Sequence, residues 1–419
     1  MSRQFTFTIM LFALFDAFSL QAQDTSYLSL NSIFRKIETS YPEILSYANR
    51  IRSLQERTRG AKAWMAPTLA VGLDQFPYKA SMVKEEGPEN QAALMFTVEQ
   101  MIPNPARLNA RQGYFNSLAD IERNNSEWVK NTLRASAKQL YYQRYSAERK
   151  LKIVQESKEL LNLLITTAEE KYTYNQSDLS TIYKAKAKLE ELSNMESMLL
   201  AMVAESNIGL NVLMNRDIYT PFTIDTLIVP KEYDGSAAPD TTVLTRSDIV
   251  SMENQISSMQ LSKKLMSLES RPDFGIQFTH MQMFGMHESF SLMGMMTLPI
   301  VPWSSKMYRS EVKYMENQIL AMQRDVQTMR LMAQRMIAEK LTMLKYGKSQ
   351  LRNYEQNIIP AFRKNFDVSL LAYRQNTGNF FVLVDSWEML LMKQMEYYDK
   401  LYSVLKLEAE YEFEIEKAL

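Results

Sequence analysis

The side chains of this sequence that could hold a ligand are concentrated in one short segment, which contains both histidines of the protein. The candidate ligands are His280, Met281, Met283, His287, Met293 and Met295. Thioethers and imidazoles are soft to borderline ligands that suit Cu(I) or Ag(I). The pattern predicts weak transit contacts for a soft metal. The alternative is a turn without any site, because the chain uses methionine 29 times.

The composition excludes several other kinds of site. The chain has no cysteine, which removes disulfides, thiolate metal sites, cysteine nucleophiles and lipid-modified cysteines. Its 48 basic and 48 acidic residues balance and form no basic run, so no nucleic-acid partner is expected. None of the common catalytic motifs occurs. Two carboxylates would be enough for a glycosidase, but the carboxylates lie on predicted helix faces, where solvation or local pairing is the default. We therefore expect no enzyme and no cofactor.

The N-terminus has the pattern of a secretory signal peptide at residues 1–22. Arg3 precedes an apolar run, and Ala22 marks the expected cleavage site. The alternative is a membrane-anchored helix, but Asp16 interrupts the run. The sequence thus predicts an exported protein.

Glycine and proline are rare, with 11 and 13 residues respectively, and their positions predict very long helices. Residues 106–220 contain no proline, and residues 303–419 contain only Pro360. Helices of this length need lateral partners. From Met315 to Met343 a methionine recurs every seven residues, which indicates a coiled-coil seam. We expect these methionines to be packed core rather than a metal-binding stripe.

Two segments between the helical blocks have the pattern of β-hairpins. The first alternates apolar residues after Pro67 and stops at Pro103, and the second alternates between Pro272 and Pro299. Strands of about ten residues with one apolar face are typical of membrane-spanning β-strands. A soluble sandwich has the same alternation, but the signal peptide and the lack of any cover for the apolar face favour the membrane.

The two halves of the chain repeat one order of elements: short helix, β-hairpin, long helix, turn, helix. The first repeat is predicted at residues 23–218, with its hairpin at about 68–102 and its helical hairpin at about 106–215. A connector follows at 219–245. The second repeat is predicted at 246–419, with its hairpin at about 273–299 and its helical hairpin at about 303–417.

Four segments resemble those of a known family: SYPEI at 40–44, VEQMIP at 98–103, IIP at 358–360, and AYRQNTGNF at 372–380, followed by Leu383, Val384 and Asp385. Their order, spacing and duplication resemble the TolC-like outer-membrane factor family of Gram-negative efflux systems. The resemblance covers nearly the whole mature chain. The histidine and methionine segment is similar to the heavy-metal branch of that family.

The resemblance implies a mainly α fold with a small membrane β part. Long coiled-coil helical hairpins would form an α-barrel, and two β-hairpins per chain would contribute to a trimeric 12-stranded outer-membrane β-barrel. The implied partners are two further copies of the chain, a periplasmic adaptor (membrane-fusion) protein, an inner-membrane pump of the resistance-nodulation-division type, and outer-membrane lipid. The implied function is that of an exit duct, in the outer membrane and periplasm, for small molecules or metal ions.

The resemblance also implies a periplasmic tip, at which the adaptor docks and the channel narrows. The implied adaptor contacts are Asn175, Gln176, Ser177, Asn376, Thr377 and Gly378, and the implied gate residues are Tyr373, Arg374 and Asp385. Asparagine stands at two positions where the family often has glycine, which is a mild change because asparagine tolerates left-handed backbone. Val382 stands where a second gate acid is common. For Asp385 a solvated helix face or a salt bridge is the alternative.

A second function remains open at this point. A soluble periplasmic coiled-coil scaffold or adaptor without a channel would explain the export, the helices and the missing active site. It would leave the two amphipathic hairpins unexplained.

Overall fold

The computed structural model describes residues 26–174, 179–233, 243–299 and 301–416, and long helices dominate it. The predicted signal peptide and part of the connector lie outside these residues. The helices are α1 Leu30–Ser40, α2 Pro42–Gly60, α3 Pro105–Tyr172, α4 Leu179–Leu213, α5 Ser247–Glu269, α6 Pro302–Asn353, α7 Ile359–Arg374 and α8 Phe380–Glu414. Across the described ranges, we find no helix with both the length and the apolar character needed to cross a bilayer.

Helix α3 has 68 residues, so its length is about 100 Å. Its start is specified locally: the Asn104 side chain accepts a hydrogen bond from the N–H of Ala106 at 2.9 Å. Pro105 occupies the first turn, where its missing N–H costs nothing. Helix α6 also has a proline, Pro302, in its first turn, but no side chain caps its start. In both repeats the long helix that follows the hairpin thus begins at a proline.

The four strands form one antiparallel sheet in the order β1 Thr68–Asp74, β2 Ala93–Ile102, β3 Asp273–Met283 and β4 Ser289–Thr297. The central pair, β2 with β3, joins the hairpins of the two repeats. Its pairing includes a hydrogen bond between the hydroxyls of Thr97 and Thr279 at 3.1 Å. Strands β1 and β4 remain at the two open edges of the sheet.

The helical segment that starts near Trp303 is not a regular α-helix along its whole length. A π-helical turn at Tyr354–Ile358 separates α6 from α7. Pro360 lies in the first turn of α7 and has no N–H for an ordinary helical bond. A local π turn changes the hydrogen-bond register and lets the chain continue as helix across the proline.

The methionine repeat of α6 forms the predicted packed seam only in its first part: Met315 is buried, and Met322 and Met329 pack against the core. The buried apolar positions of α6 are Met315, Ile319, Val326, Ala333, Ile337, Leu344 and Leu351. The repeat moves out of this seam, and Met343 is 53% exposed in the single chain. A straight helix drifts by about 20° per heptad against a strict seven-residue repeat. The prediction of packed core is therefore wrong for Met343.

The first part of the connector is held to the helices by buried charge. The Glu412 carboxylate on α8 pairs with Lys138 at 2.5 Å and with Lys231 at 2.9 Å, and it accepts a hydrogen bond from Tyr233 at 2.8 Å. Burial alone would raise the pKa of Glu412, but the attraction of Lys138 and these hydrogen bonds lower it to about 2. One turn earlier, burial raises the pKa of Glu408 to about 7. The expectation that the carboxylates lie on solvated faces is wrong for both.

Candidate functional site

The turn between α7 and α8 is the best-defined part of the predicted tip. The N–H of Asn376 donates to the carbonyl of Tyr373 at 3.2 Å, and the N–H of Thr377 donates to the carbonyl of Ala372 at 3.0 Å. This is the Schellman arrangement that closes many helices. Asn376 takes the left-handed position with φ of 60°. The substitution of asparagine for glycine is thus accommodated by the backbone itself.

Gly378 lies where the turn passes closest to the end of α7. A Cβ at this position would come within 2.9 Å of the Ala372 Cβ and 3.1 Å of the Tyr373 backbone nitrogen. Immediately after it, the Asn379 side chain accepts a hydrogen bond from the N–H of Phe381 at 2.9 Å and caps α8. Glycine and asparagine together therefore permit the tight reversal.

Lys171 connects the end of α3 to this turn. Its Nζ donates to the carbonyl of Tyr373 at 3.0 Å and to the side-chain oxygen of Asn376 at 2.6 Å. The same ammonium lies 4.2 Å from the centre of the Tyr373 ring, within range of a cation–π interaction. No local motif in the sequence marks Lys171, because its contacts join residues in different repeats.

The three implied gate residues lie in different environments. Tyr373 is buried with its ring 5.3 Å from that of Phe380, and burial raises the pKa of its hydroxyl. Arg374 and Asp385 are both exposed. No ion pair reaches Asp385 from the described part of the chain. It interrupts an exposed apolar stripe of α8 that includes Val382 and Met389. Asn175, Gln176 and Ser177, the other half of the predicted tip, lie outside the described residues.

The register of the sheet separates two chemically different faces. The apolar face, as we call it, carries Leu69, Val71, Leu73, Leu94, Phe96, Val98, Ile102, Phe274, Ile276, Phe278, Leu292 and Phe290. Many of these side chains point into solvent in the single chain; Leu69 is 73% and Phe290 is 72% exposed. None of the described residues of the chain therefore covers the apolar face.

The opposite face, named here the methionine face, carries Met95, Met101, Met281, Met283, Met293 and Met295. It also carries Asp74, Glu99, Gln277 and Thr297. The sequence predicted four of these methionines as ligands and missed Met95 and Met101, although alternation along β2 places both on this face. The face is thus polar and rich in thioethers.

The histidines do not join these methionines. His280 pairs with Phe96 on one side and Phe290 on the other, which places it on the apolar face. A strand turns successive side chains to opposite faces, so His280 cannot share a ligand set with Met281. His287 lies in the loop between β3 and β4. Within the described ranges there is no group of three His, Asp or Glu side chains arranged to hold a metal ion.

Comparison with known proteins identifies the fold. No family model matches the sequence, and no curated protein is significantly similar to it. Solved structures do match over nearly the whole chain. The outer-membrane channel OprN superposes with a TM-score of 0.76 at 12% identity, covering 92% of this chain and 89% of OprN.

Two further channels give the same result. CusC, whose structures concern folding and transmembrane channel formation, has a TM-score of 0.76 at 11% identity. The superposition covers 92% of this chain and 91% of the CusC chain. The outer membrane protein VceC of Vibrio cholerae has a TM-score of 0.74 at 11% identity, with coverage of 92% and 95%. The chain has the fold of these outer-membrane proteins. The resemblance to the TolC-like fold and the predicted fold class, mainly helical with a small antiparallel sheet, are confirmed.

Proposed function

We propose that the protein is the outer-membrane channel of a tripartite efflux system of a Gram-negative bacterium. The observation that carries this proposal is the apolar face of the sheet. It lies at one end of the helix α3, which is about 100 Å long, and none of the described residues covers it. Lipid is the environment in which such a face is stable. The similar structures, which are outer-membrane channels, support the same assignment.

Three copies would form the channel. No described strand pairs with the outer edges of β1 and β4, and unpaired backbone groups are costly in hydrocarbon. Three four-stranded sheets would close into one 12-stranded barrel, an even number that suits bacterial barrels. The methionine face would then line the lumen.

The tip would dock the adaptor and close the channel. Asn376, Thr377 and Gly378 form its defined turn, and Asn175, Gln176 and Ser177 are the other proposed adaptor contacts. Of the implied gate residues, the exposed Arg374 and Asp385 would narrow the entrance, while the buried Tyr373 would support the tip by packing against Phe380. The pump, of the resistance-nodulation-division type, would supply energy, since the chain is proposed as a passive duct without catalytic activity.

The soluble scaffold is the weaker alternative. It accounts for the helices and for export, but it leaves the apolar face in water. Exposed contiguous apolar patches of this kind are rare in soluble monomers.

The test compares charges placed on the two faces. The variant Phe96→Lys/Leu292→Lys puts two lysines on the apolar face, and the matched control Glu99→Lys/Ser291→Lys puts two on the methionine face. A lysine facing lipid costs about 2–4 kcal/mol at the bilayer midplane. We expect the control and the unmodified protein to fractionate with outer membrane and to conduct in planar bilayers, whereas the apolar-face variant does neither. Recovery of the unmodified protein as a soluble monomer after osmotic shock would contradict the proposal.

A further inference from the structure

The methionines of the sheet are concentrated on the methionine face. Six methionines lie on it, whereas Met296 is the single methionine among the described strand residues of the apolar face. The apolar face, which has to meet hydrocarbon, uses Leu, Val, Ile and Phe instead. The thioethers are thus concentrated on the face that carries Glu99 and Gln277, not on the face where burial would explain them.

The strand register brings these side chains together. Met95 lies directly opposite Met281 on the neighbouring strand. Met101 and Met295 lie on either side of Gly275, one on β2 and the other on β4. Gly275 on β3 therefore lies between a methionine on β2 and a methionine on β4.

The absence of a side chain at Gly275 creates a space into which both thioethers extend. A Cβ on Gly275 would lie 2.6 Å from the Sδ of Met101 and 3.3 Å from the Cε of Met295. The first distance is shorter than any real Cβ contact, so alanine at this position would displace Met101. The missing side chain at Gly275 thus leaves room for the ends of both methionine side chains.

The chemistry of this pair selects one class of ligand. Thioether sulfur is a soft donor that prefers Cu(I) and related monovalent ions over hard cations. Carboxylates such as Glu99 on the same face favour cations in general, but the described residues contain no His, Asp or Glu cluster that would hold a hard divalent ion. A pathway also needs several weak contacts rather than one tight site, because the ion must leave again.

We propose that the methionine face is a series of weak thioether contacts for Cu(I) or Ag(I), centred on the pair Met101 and Met295 over Gly275. This rests on the proposed function, because only a channel lumen would present that face to a cargo. His280, on the opposite face, is not part of the series.

The experiment uses the full chain, purified in detergent and inserted into planar bilayers in chloride-free buffer, with silver nitrate as the probe. The variant Met101→Leu/Met295→Leu keeps side-chain volume and removes both sulfurs. The matched control Met296→Leu/Met307→Leu removes two thioethers that lie elsewhere. A second variant, Gly275→Ala, keeps all methionines but fills the space between the pair.

We expect Ag(I) to reduce the conductance of the unmodified protein and of the control. In the Met101→Leu/Met295→Leu and Gly275→Ala variants, the Ag(I) concentration that blocks half of the conductance should rise about tenfold or more. This corresponds to a dissociation constant about tenfold larger. Equal block in all four proteins would overturn the inference while leaving the channel intact.

Failure of the channel itself has a different outcome. If no protein conducts, the proposed function is contradicted, and equilibrium dialysis of the detergent-purified chains against Ag(I) still decides the inference. More Ag(I) bound by the control than by the Met101→Leu/Met295→Leu variant would support the thioether site. Equal binding would overturn it.

Discussion

At the scale of single residues, Glu408 is a position at which burial and the neighbouring lysines shift the pKa in opposite directions. Its carboxyl is buried on α8, with one oxygen lacking a hydrogen-bond partner, and the nearest cation is Lys348 at 3.7 Å. Lys231 also attracts it and donates a backbone hydrogen bond, whereas Glu412 repels it. On another side lies Tyr142 of α3, which is also buried. Burial dominates and raises the pKa of Glu408 to about 7.

This raised pKa predicts a pH-dependent effect of Glu408→Gln. The unfolded chain releases the proton near pH 4.5 and the folded chain near 7. The stability contributed by the protonated carboxyl is therefore complete below about 4.5 and is lost as pH rises through 7. Glu408→Gln, which stays neutral, should raise the free energy of unfolding by up to about 3 kcal/mol at pH 8 and change it little at pH 4.5. Urea unfolding of the detergent-purified protein at both pH values measures this.

The exposed Glu159 provides the control for that measurement. Glu159→Gln should leave the difference between pH 4.5 and pH 8 as it is in the unmodified chain. A Glu408→Gln protein that is destabilised at pH 8 would mean that the pair with Lys348 outweighs the cost of burial.

At the scale of elements, what could be predicted from the sequence depends on how local the cause is. The strands and long helices follow from alternation and from the positions of proline, for example Pro105 and Pro302, so their approximate limits could be predicted. The buried charges of Glu408 and Glu412 could not, because their partners lie far away in the chain at Lys138, Lys231 and Lys348. The sheet register was also needed to show that His280 and the methionines lie on opposite faces of the sheet.

The contact between α3 and the turn after α7 leads to a prediction about the tip. Lys171 is the side chain that joins these two elements, through the Tyr373 carbonyl and the Asn376 side chain. Lys171→Met keeps much of the aliphatic stem but removes both hydrogen bonds. Under the proposed function we expect a looser tip and a higher closed-state conductance in planar bilayers.

Lys186→Met controls for the loss of one positive charge near the tip. Lys186 pairs with Glu169 at 2.6 Å, which connects α3 only to its own hairpin partner α4. Its replacement should leave closed-state conductance unchanged. Equal conductance of Lys171→Met and the unmodified protein would show that the contact does not hold the tip closed.

At the scale of the whole molecule, the open edges of the sheet determine how copies of the chain pair with one another. Within one chain β1 and β4 are separated by two strands, hence by roughly 14 Å at about 4.8 Å per strand. A disulfide needs Cα atoms about 4.4–6.8 Å apart. A bond between cysteines on β1 and β4 can therefore form only between two copies, and the chain has no cysteine of its own to interfere.

A set of double-cysteine variants tests closure by three copies. Each variant combines Ala70→Cys on β1 with a cysteine at Ser291, Met293 or Met295 on β4, all on the methionine face. Because an edge pairs with only one register, we expect one or two variants to give disulfide-linked dimers and trimers on non-reducing gels, with no larger species. The control Ala70→Cys/Gly294→Cys, whose cysteines point to opposite faces, should remain monomeric. A ladder that continues beyond three copies would mean that the edges form open filaments, because a ring of three sheets leaves no free edge for a fourth.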